Sequence, residues 1–389
     1  MANRNLDYNG EAEAWNIRLI GHTDLNGHGD AMQIMVKDNV MYVGHIRGNV
    51  ATSIVDVSDP THPTVVHQLP SPANTRSHKV QTAGDIMIIN YEAYPPRSPV
   101  TPEKAGIQLF DISDRVHPKE LGFFETGGRG VHRPWYIGGQ YVNISTHMEG
   151  YTHRIWMLVD VSDPMNPVEV SRWWHPGMWA AGGEEPTWPP ELRPGAHHAI
   201  IWEDRAYLSF WDAGFYILCI AHPEELKVIA HMSWIPEDGR HTHTVLPLPK
   251  RNLLITTDEE TSDDCQGVTH HVRVIDVLDE RNPRILSKFP VPEGDFCQRG
   301  HRFGPHNLHE NRPESFISDE MIFVTYFNAG LRVVNIRDAE HPREVAYYIP
   351  RCPEGQKAPQ TNSVFVAENG LIYISDRING GVDILELAL

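Results

Sequence analysis

Short apolar runs, alternating or continuous, recur along the whole chain and are separated by turns rich in Pro and Gly. Such runs are typical of β-strands, and no stretch shows the periodicity of a long amphipathic helix. The clearest repeated phrase is a strand that ends in an Asp-Pro style turn, as in Val55–Pro63, Phe110–Pro118 and Val159–Pro167. Weaker copies begin at Leu218, Ile275, Val334 and Val382. The pattern predicts an all-β fold made of a repeated unit of about fifty residues.

A second phrase opens a strand shortly after a turn and begins with a polar residue, which is His in five consecutive copies. The lead residues are Asp30, His78, His132, His198, His243, His306 and Asn362. Further β-rich runs lie between the two phrases and after the Asp-Pro turn, so that each unit contains four short strands. Four-stranded units repeated radially are the blades of a β-propeller, and seven units predict seven blades.

The two ends of the chain fit the closure of such a ring. The last unit stops at its third strand, within Val382–Leu387, and Trp15–Gly21 has the pattern of the missing fourth strand. An N-terminal strand that completes the last blade removes an open sheet edge. We therefore expect a single domain over residues 1–389, a seven-bladed β-propeller of four-stranded blades that start near residues 30, 78, 132, 198, 243, 306 and 362.

The Val-Asp-Val-Ser-Asp-Pro-x-x-Pro phrase, together with preceding segments such as DAGFYILCI and NAGLRVVNI, resembles the LVIVD-repeat β-propeller proteins. The resemblance covers nearly the whole chain, although the fourth and seventh units depart from the Ser-Asp-Pro consensus. It implies the architecture and says little about activity, because that repeat group is functionally mixed and a fold does not set a function.

In a propeller the first strand of each blade lines the central channel, so the seven lead residues are predicted to form a ring. The second strand returns to the same rim, which places a set of polar residues behind the ring: His45, Glu92, His147, Asp212, Asp258 or Glu259, Asn328 and Asp376. Converging imidazoles either bind a transition metal or act as acids and bases without one. A hydrated channel without chemistry is the third interpretation.

We favour the metal and predict a divalent transition ion, Fe, Cu, Zn or Mn, held by several of His78, His132, His198, His243 and His306. Carboxylates behind the imidazoles would fix their tautomers or act as bases, and flanking arginines could clamp a carboxylate. The catalytic candidates are Glu92, Asp212, Glu259 and Arg240. The doublets His197/His198, His241/His243 and His306/His309 leave the register open by one or two residues.

The chain carries 33 basic and 51 acidic residues, a formal net charge of −18, and has no basic cluster, so a nucleic-acid partner is not expected. Neither an apolar signal stretch near the start nor a membrane-spanning run occurs, and we expect a cytoplasmic protein without a membrane partner. The four cysteines are widely spaced and are predicted to be reduced thiols, with a Cys265–Cys297 disulfide as the alternative.

The sequence therefore predicts a metal-dependent enzyme that acts on a small organic molecule, first as a non-haem metal oxidoreductase or oxygenase. In plan, several His from different blades resemble the four-His iron site of the carotenoid-cleavage dioxygenases, an analogy of architecture only. A metal-assisted hydrolase or lyase is the alternative reaction class. A further alternative is a non-catalytic propeller scaffold that binds other proteins. The sequence does not decide whether the protein forms a homo-oligomer.

Overall fold

The computed structural model describes residues 10–47, 49–96 and 98–389, which fold into curled antiparallel sheets with almost no helix. The predicted domain also includes residues 1–9, 48 and 97, which lie outside the described residues, as does most of the N-terminal stretch in which no signal was found. The helical elements are the α-helix Phe296–Arg299 and the 3-10 turns Ala180–Gly182, Pro236–Asp238 and Pro249–Arg251. No described helix is long and apolar enough to cross a bilayer.

Strand pairing divides most of the described strands into groups of four, each a meander of neighbours in sequence. In chain order these groups are Ala31–Lys37, Val40–His45, Val50–Asp56 and Thr64–Pro70; Val80–Ala83, Ile86–Ala93, Gly106–Asp111 and Lys119–Glu125; Gly130–Trp135, Tyr141–His147, Ile155–Asp160 and Val168–Trp173; Pro194–Trp202, Arg205–Trp211, Phe215–Cys219 and Lys227–Met232; Thr242–Leu248, Leu253–Asp258, Val272–Asp276 and Arg284–Lys288. This is the all-β propeller architecture that the repeat predicts; the count of seven blades stays a prediction.

The last two groups share the N-terminal segment. One pairs Met321–Thr325, Leu331–Asn335 and Arg343–Ile349, gains Glu13–Trp15 at its outer edge, and receives Leu308 on its inner side through a bridge to Val324. The other pairs Thr361–Val366, Ile372–Asp376 and Gly381–Leu387 with Ile17–Thr23. Segments far apart in sequence therefore pair within one sheet, in which Ile17–Thr23 is the edge strand beside Gly381–Leu387.

The repeated Asp-containing phrase forms the same turn wherever it is well preserved. A carboxylate oxygen of Asp56, Asp111 or Asp160 accepts the backbone N–H two residues later, at 2.7 to 2.8 Å. Such Asx turns replace backbone hydrogen bonds at the end of a strand and direct the chain back along the sheet. The apolar residues of the intervening strands are buried between neighbouring groups, which gives one continuous series of cores.

Candidate metal centre

One hydrogen bond repeats between neighbouring groups of strands and identifies the equivalent positions in their first strands. A Ser or Thr hydroxyl on a second strand donates to the carbonyl of the next group's lead residue, at 2.7 to 3.1 Å. The pairs are Ser145 with His197, Ser209 with His243, Thr257 with His306 and Thr325 with Asn362. The hydroxyl of Ser375 reaches Met32 in the same way. The lead positions of these groups are therefore His197, His243, His306, Asn362 and Met32.

This register corrects the predicted positions of two lead residues, His198 and Asp30. The pairing of Pro194–Trp202 with Arg205–Trp211 contains a register shift between Pro194 and His198, which brings His197 to the lead position. The Nε2 atom of His198 instead lies 2.7 Å from Oε1 of Glu310. Asp30 accepts the backbone N–H of Arg47 at 2.6 Å and belongs to the loop before its strand.

Five imidazoles follow one another in a continuous arc across neighbouring groups. The distances between successive ring centroids are 4.9 Å from His78 to His132, 4.9 Å from His132 to His197, 3.8 Å from His197 to His243 and 4.3 Å from His243 to His306. Four of the rings are almost fully buried, and the side chain of His132 is 14 % exposed. The first strands thus bring together four predicted ligands and His197, which replaces His198.

The hydrogen bonds of His132 and His197 fix the tautomers of both rings. Nδ1 of His132 lies 3.1 and 3.2 Å from the two oxygens of Glu92, and Nδ1 of His197 lies 2.9 Å from the carbonyl oxygen of His243. Because these oxygens only accept, each Nδ1 must carry the proton and donate it. The lone pairs on the two Nε2 atoms therefore face each other, and those atoms are 3.1 Å apart.

Two carboxylates lie beside the arc, and each is bound by its own arginine. Nε and Nη2 of Arg76 donate to one oxygen of Glu92 at 2.9 and 2.6 Å, and Nη1 of Arg302 donates to Glu259 at 3.0 Å. Burial, the largest single cause, raises the pKa of Glu92, but the nearby charges, led by that of Arg76, together outweigh it and lower the pKa to about 2. The pKa of Glu259 is likewise lowered, through His306 and Arg302. Both groups are therefore ionised and are weak bases.

Burial also keeps the imidazoles neutral. Desolvation is the largest cause of a pKa well below the ordinary value for His78, His132, His197 and His243, and it lowers the pKa of His306 to about 3. Neutral imidazole is the form that binds a metal ion. The arc thus offers nitrogen lone pairs at any pH at which the protein is expected to work.

Two groups of ligand atoms have the spacing that a metal ion needs. His78, Glu92 and His132 form one group, His197, His243 and Glu259 form the other, and within each group the atoms lie within 4.8 Å of one another. His132 and His197 connect the groups through the 3.1 Å contact between their Nε2 atoms. Two His and one carboxylate is a ligand set found in non-haem iron enzymes.

His78 differs from the other rings in its tautomer. The Asn90 side chain accepts the backbone N–H of Lys79 at 2.8 Å and donates to the carbonyl of Val131 at 2.7 Å, so its orientation is fixed. Its Nδ2 atom faces Nδ1 of His78 at 3.2 Å, so this nitrogen accepts. The proton of His78 is then on Nε2, which is buried without a hydrogen-bond partner and lies 3.8 Å from Glu92.

Comparison with known proteins agrees with this architecture. The family model of the LVIVD repeat matches residues 28–69 and 156–173, which contain two of the best-preserved Asp-Pro phrases. The chain is an LVIVD-repeat β-propeller. No curated protein sequence matches it.

Solved structures similar to this LVIVD-repeat propeller share its fold at low sequence identity. The periplasmic gluconolactonase PpgL of Pseudomonas aeruginosa is 10 % identical, with a TM-score of 0.57 over 95 % of this chain and 94 % of that one. The Cps50 (Swd1) β-propeller domain of Myceliophteria thermophila is 11 % identical, with a TM-score of 0.57 over 94 % and 96 %. A candidate 6-phosphogluconolactonase from Bacteroides uniformis is 9 % identical, with a TM-score of 0.58 over 82 % and 85 %.

Two predicted catalytic residues of the LVIVD-repeat propeller are not part of either ligand group. The carboxylate of Asp212 accepts hydrogen bonds from the backbone N–H groups of Arg193 at 2.8 Å and His241 at 3.2 Å. It therefore connects the two loops that contain these residues. The Arg240 side chain contacts only the carbonyl of Glu191, at 3.5 Å, among the described residues. Their catalytic roles stay predictions, whereas Glu92 and Glu259 both lie at the arc.

Sequence reasoning passed over Arg154 and Arg377, whose charges act on the arc of the LVIVD-repeat propeller, whereas Asn362 was among the predicted lead residues. Both amide atoms of Asn362 are buried and have no hydrogen-bond partner. A cavity of about 550 Å³ around Ile86 and Tyr136 lies elsewhere and has no carboxylate, amine or imidazole in its lining. Solvent reaches the arc from the rim, where the side chains of His147 and Arg302 are about a quarter exposed.

Proposed function

We propose that the protein is a metal-dependent enzyme whose ion binds between His132 and His197, at the centre of the imidazole arc. The observation that carries the proposal is the 3.1 Å separation of two Nε2 atoms that both present a lone pair. Two bare acceptors repel each other unless something positive lies between them. A proton is disfavoured, because burial lowers the pKa of both rings well below the ordinary value. A metal ion satisfies both nitrogens.

The separation of the two nitrogens also fits a shared ion. Two nitrogen ligands, each about 2.0 to 2.1 Å from one metal, lie about 2.9 to 3.4 Å apart at bond angles of about 90° to 110°. The far nitrogen of each ring donates to an acceptor, as is usual for ligating histidines. His243 and Glu259, grouped with His197, supply the next donors.

The remaining residues of the arc suit positioning better than proton abstraction. Glu92 and Glu259 are weak bases because each is bound to an arginine. Glu92 orients His132, and both carboxylates contribute negative charge to the centre. His78 directs an N–H towards the centre, and Asn362 offers a free amide donor and acceptor. When bound, the ion itself would supply the reactivity: dioxygen activation with Fe or Cu, or Lewis-acid activation with Zn.

A non-haem metal oxidoreductase or oxygenase acting on a small organic substrate is our first candidate, because His197, His243 and Glu259 form a set of two His and one carboxylate on the arc. A metal-assisted hydrolase or lyase is the second candidate. Its support is the likeness in fold to the gluconolactonase of P. aeruginosa and the candidate 6-phosphogluconolactonase of B. uniformis. A protein-binding scaffold without metal is the third, since propellers serve that role as well.

The test is elemental analysis of protein purified without a polyhistidine tag, together with His132→Ala, His197→Ala and, as a matched control, His198→Gln. Near-stoichiometric metal in the wild type and the His198 variant, with loss in the other two, supports the proposal. Metal-free, folded wild-type protein that binds none of Fe, Cu, Zn or Mn on reconstitution would contradict it. With the metal known, dioxygen uptake or hydrolysis of lactone and ester substrates separates the first two candidates.

A further inference from the structure

Four arginines surround the imidazole arc, and two of them have no carboxylate partner. Arg76 and Arg302 are bound to Glu92 and Glu259. Among the described residues, no carboxylate oxygen lies within 4.0 Å of the guanidinium of Arg154 or Arg377, and neither side chain makes a hydrogen bond. Within the described part of the chain these two cations therefore lack a directly bound carboxylate, although the charge of Glu259 acts on both.

Arg154 is almost fully buried, and its charge acts on groups in both halves of the arc. Its side chain is 5 % exposed, its Nε atom has no hydrogen-bond partner, and its guanidinium packs 5.1 Å from the Trp211 ring centroid. Its charge acts on Glu92 and on Glu259, and it lowers the pKa of His132 and His197. A buried donor without an acceptor is costly, because the Nε–H of Arg154 has lost water and has gained no partner.

Arg377 approaches the arc from the other side, next to Arg302. The two guanidiniums lie 5.8 and 5.5 Å from the ring centroid of Phe327, and that ring stacks on His306 at 4.7 Å. The charge of Arg302 and burial together lower the pKa of Arg377 to about 9, so the group is still a cation at neutral pH. The charge of Glu259, which is bound to Arg302, also acts on Arg377, but no described carboxylate contacts Arg377 directly.

We propose that Arg154 and Arg377 bind an anionic group of the substrate, a carboxylate or a phosphate, and hold it against the imidazole arc. That the bound anion is a substrate rests on the proposed function. The anion site itself is inferred only from the two guanidiniums that lack a carboxylate partner among the described residues. Guanidinium forks suit both anions because they donate two parallel hydrogen bonds. The substrate class is therefore a small organic acid or a phosphorylated small molecule, which the acidic protein surface would not otherwise attract.

The experiment measures binding of inorganic phosphate and of malonate by calorimetry, at constant ionic strength set with chloride. Wild-type protein is compared with Arg154→Gln, Arg377→Gln and, as a control for net charge, Arg337→Gln, whose side chain is 78 % exposed. At least a tenfold loss of affinity in the first two variants, with none in the third, supports the proposal. Loss for phosphate alone or malonate alone assigns the anion class.

Equal affinities in all four proteins, or no binding of either anion by the wild type, would overturn the anion site. Metal content is measured on the same preparations, so that the two proposals fail separately. Metal-free protein that still loses anion affinity in the Arg154 and Arg377 variants contradicts the enzyme and leaves the anion site standing. If Arg154→Gln does not fold, Arg154→Lys and Arg377→Gln carry the test, because lysine keeps the charge and loses the fork.

Discussion

Glu92 faces Nδ1 of His132 with both of its carboxylate oxygens, at 3.1 and 3.2 Å, while Arg76 binds the same carboxylate from the other side. This contact sets the tautomer that exposes the Nε2 lone pair of His132. We expect Glu92→Gln to weaken metal binding about 10- to 100-fold, as loss of an orienting partner usually does. Competition with a chromophoric chelator measures the affinity directly.

Glu310 offers a matched control for that substitution. It is also a buried carboxylate bound by an arginine, Arg133, and it contacts His198, which is outside the arc. Glu310→Gln should therefore lower stability and leave metal affinity within about twofold of the wild type. A similar loss of affinity in both variants would mean that Glu92 acts only through the stability of the fold.

The hydroxyl of Ser209 connects two neighbouring groups of strands. It lies 2.7 Å from the carbonyl of His243 and accepts the backbone N–H of His198 at 3.0 Å, and all three groups are buried. Ser209→Ala leaves the buried N–H of His198 without its acceptor, whereas the carbonyl of His243 still accepts from Nδ1 of His197. We therefore expect the free energy of unfolding to fall by about 1 to 3 kcal/mol. Urea unfolding followed by tryptophan fluorescence measures the change. The control is Ser162→Ala in an exposed turn, which should change the free energy of unfolding by less than about 0.5 kcal/mol. Equal losses of stability in the Ser209 and Ser162 variants would contradict a stabilising role for the hydroxyl between the two groups of strands.

The sequence predicted the strands, the propeller and the convergence of most of the arc for one physical reason. Period-two alternation and Asp-Pro turns are local signals, and a repeated unit places equivalent residues around a common axis. His78, His132, His243 and His306 could thus be assigned to one arc from their spacing alone. The chemical role of that arc was not decided by the pattern, since metal binding, acid-base catalysis and a hydrated channel use the same residues.

The position of His197 could not be predicted, because it depends on a register shift that only strand pairing reveals. Adjacent residues of a strand point to opposite sides, so the doublet gave two equally good choices. One signal was present in the sequence: five of the second strands carry a Ser or Thr, such as Ser209 or Thr257, whose hydroxyl donates to the carbonyl of the next lead residue and marks the register. The approach of Arg154 and Arg377 to the arc had no such signal, because both follow from tertiary packing of loops.

A disulfide joins Cys265 and Cys297. The prediction of four reduced thiols is therefore wrong for these two cysteines, and the alternative prediction of a Cys265–Cys297 disulfide is confirmed. The bond closes a loop with a sequence separation of 32 residues, which by chain entropy stabilises the fold by about 3 to 4 kcal/mol. We expect Cys265→Ser/Cys297→Ser to unfold at a lower temperature by calorimetry, whereas Cys219→Ser, at a free thiol, should not. An unchanged melting temperature on reduction would contradict the cross-link.

The cytoplasmic location stays a prediction, and a lasting disulfide would be unusual in that compartment.

His309 is a buried imidazole outside the arc, and its neutral form is required by its partners. Its Nε2–H donates to the carbonyl of Phe316 at 2.7 Å, and its Nδ1 accepts the backbone N–H of Val366 at 3.2 Å. Burial, as the largest cause, lowers its pKa to about 4, against 6.5 in the unfolded chain. Between these values the unfolded state binds more protons, so stability is fully present above pH 6.5 and is lost as the pH falls towards 4.

From pH 7 to pH 5 this one group should therefore remove roughly 2 kcal/mol from the free energy of unfolding. His309→Gln keeps a donor and an acceptor but does not titrate, so the variant should lose about that much less stability over the same interval. Urea unfolding at both pH values, on chelator-treated protein so that metal release does not contribute, measures the difference. The exposed His341→Gln variant serves as the control. An identical loss in wild type and His309→Gln would show that His309 is not held neutral by the fold, and acid sensitivity would then have to arise from the imidazole arc itself.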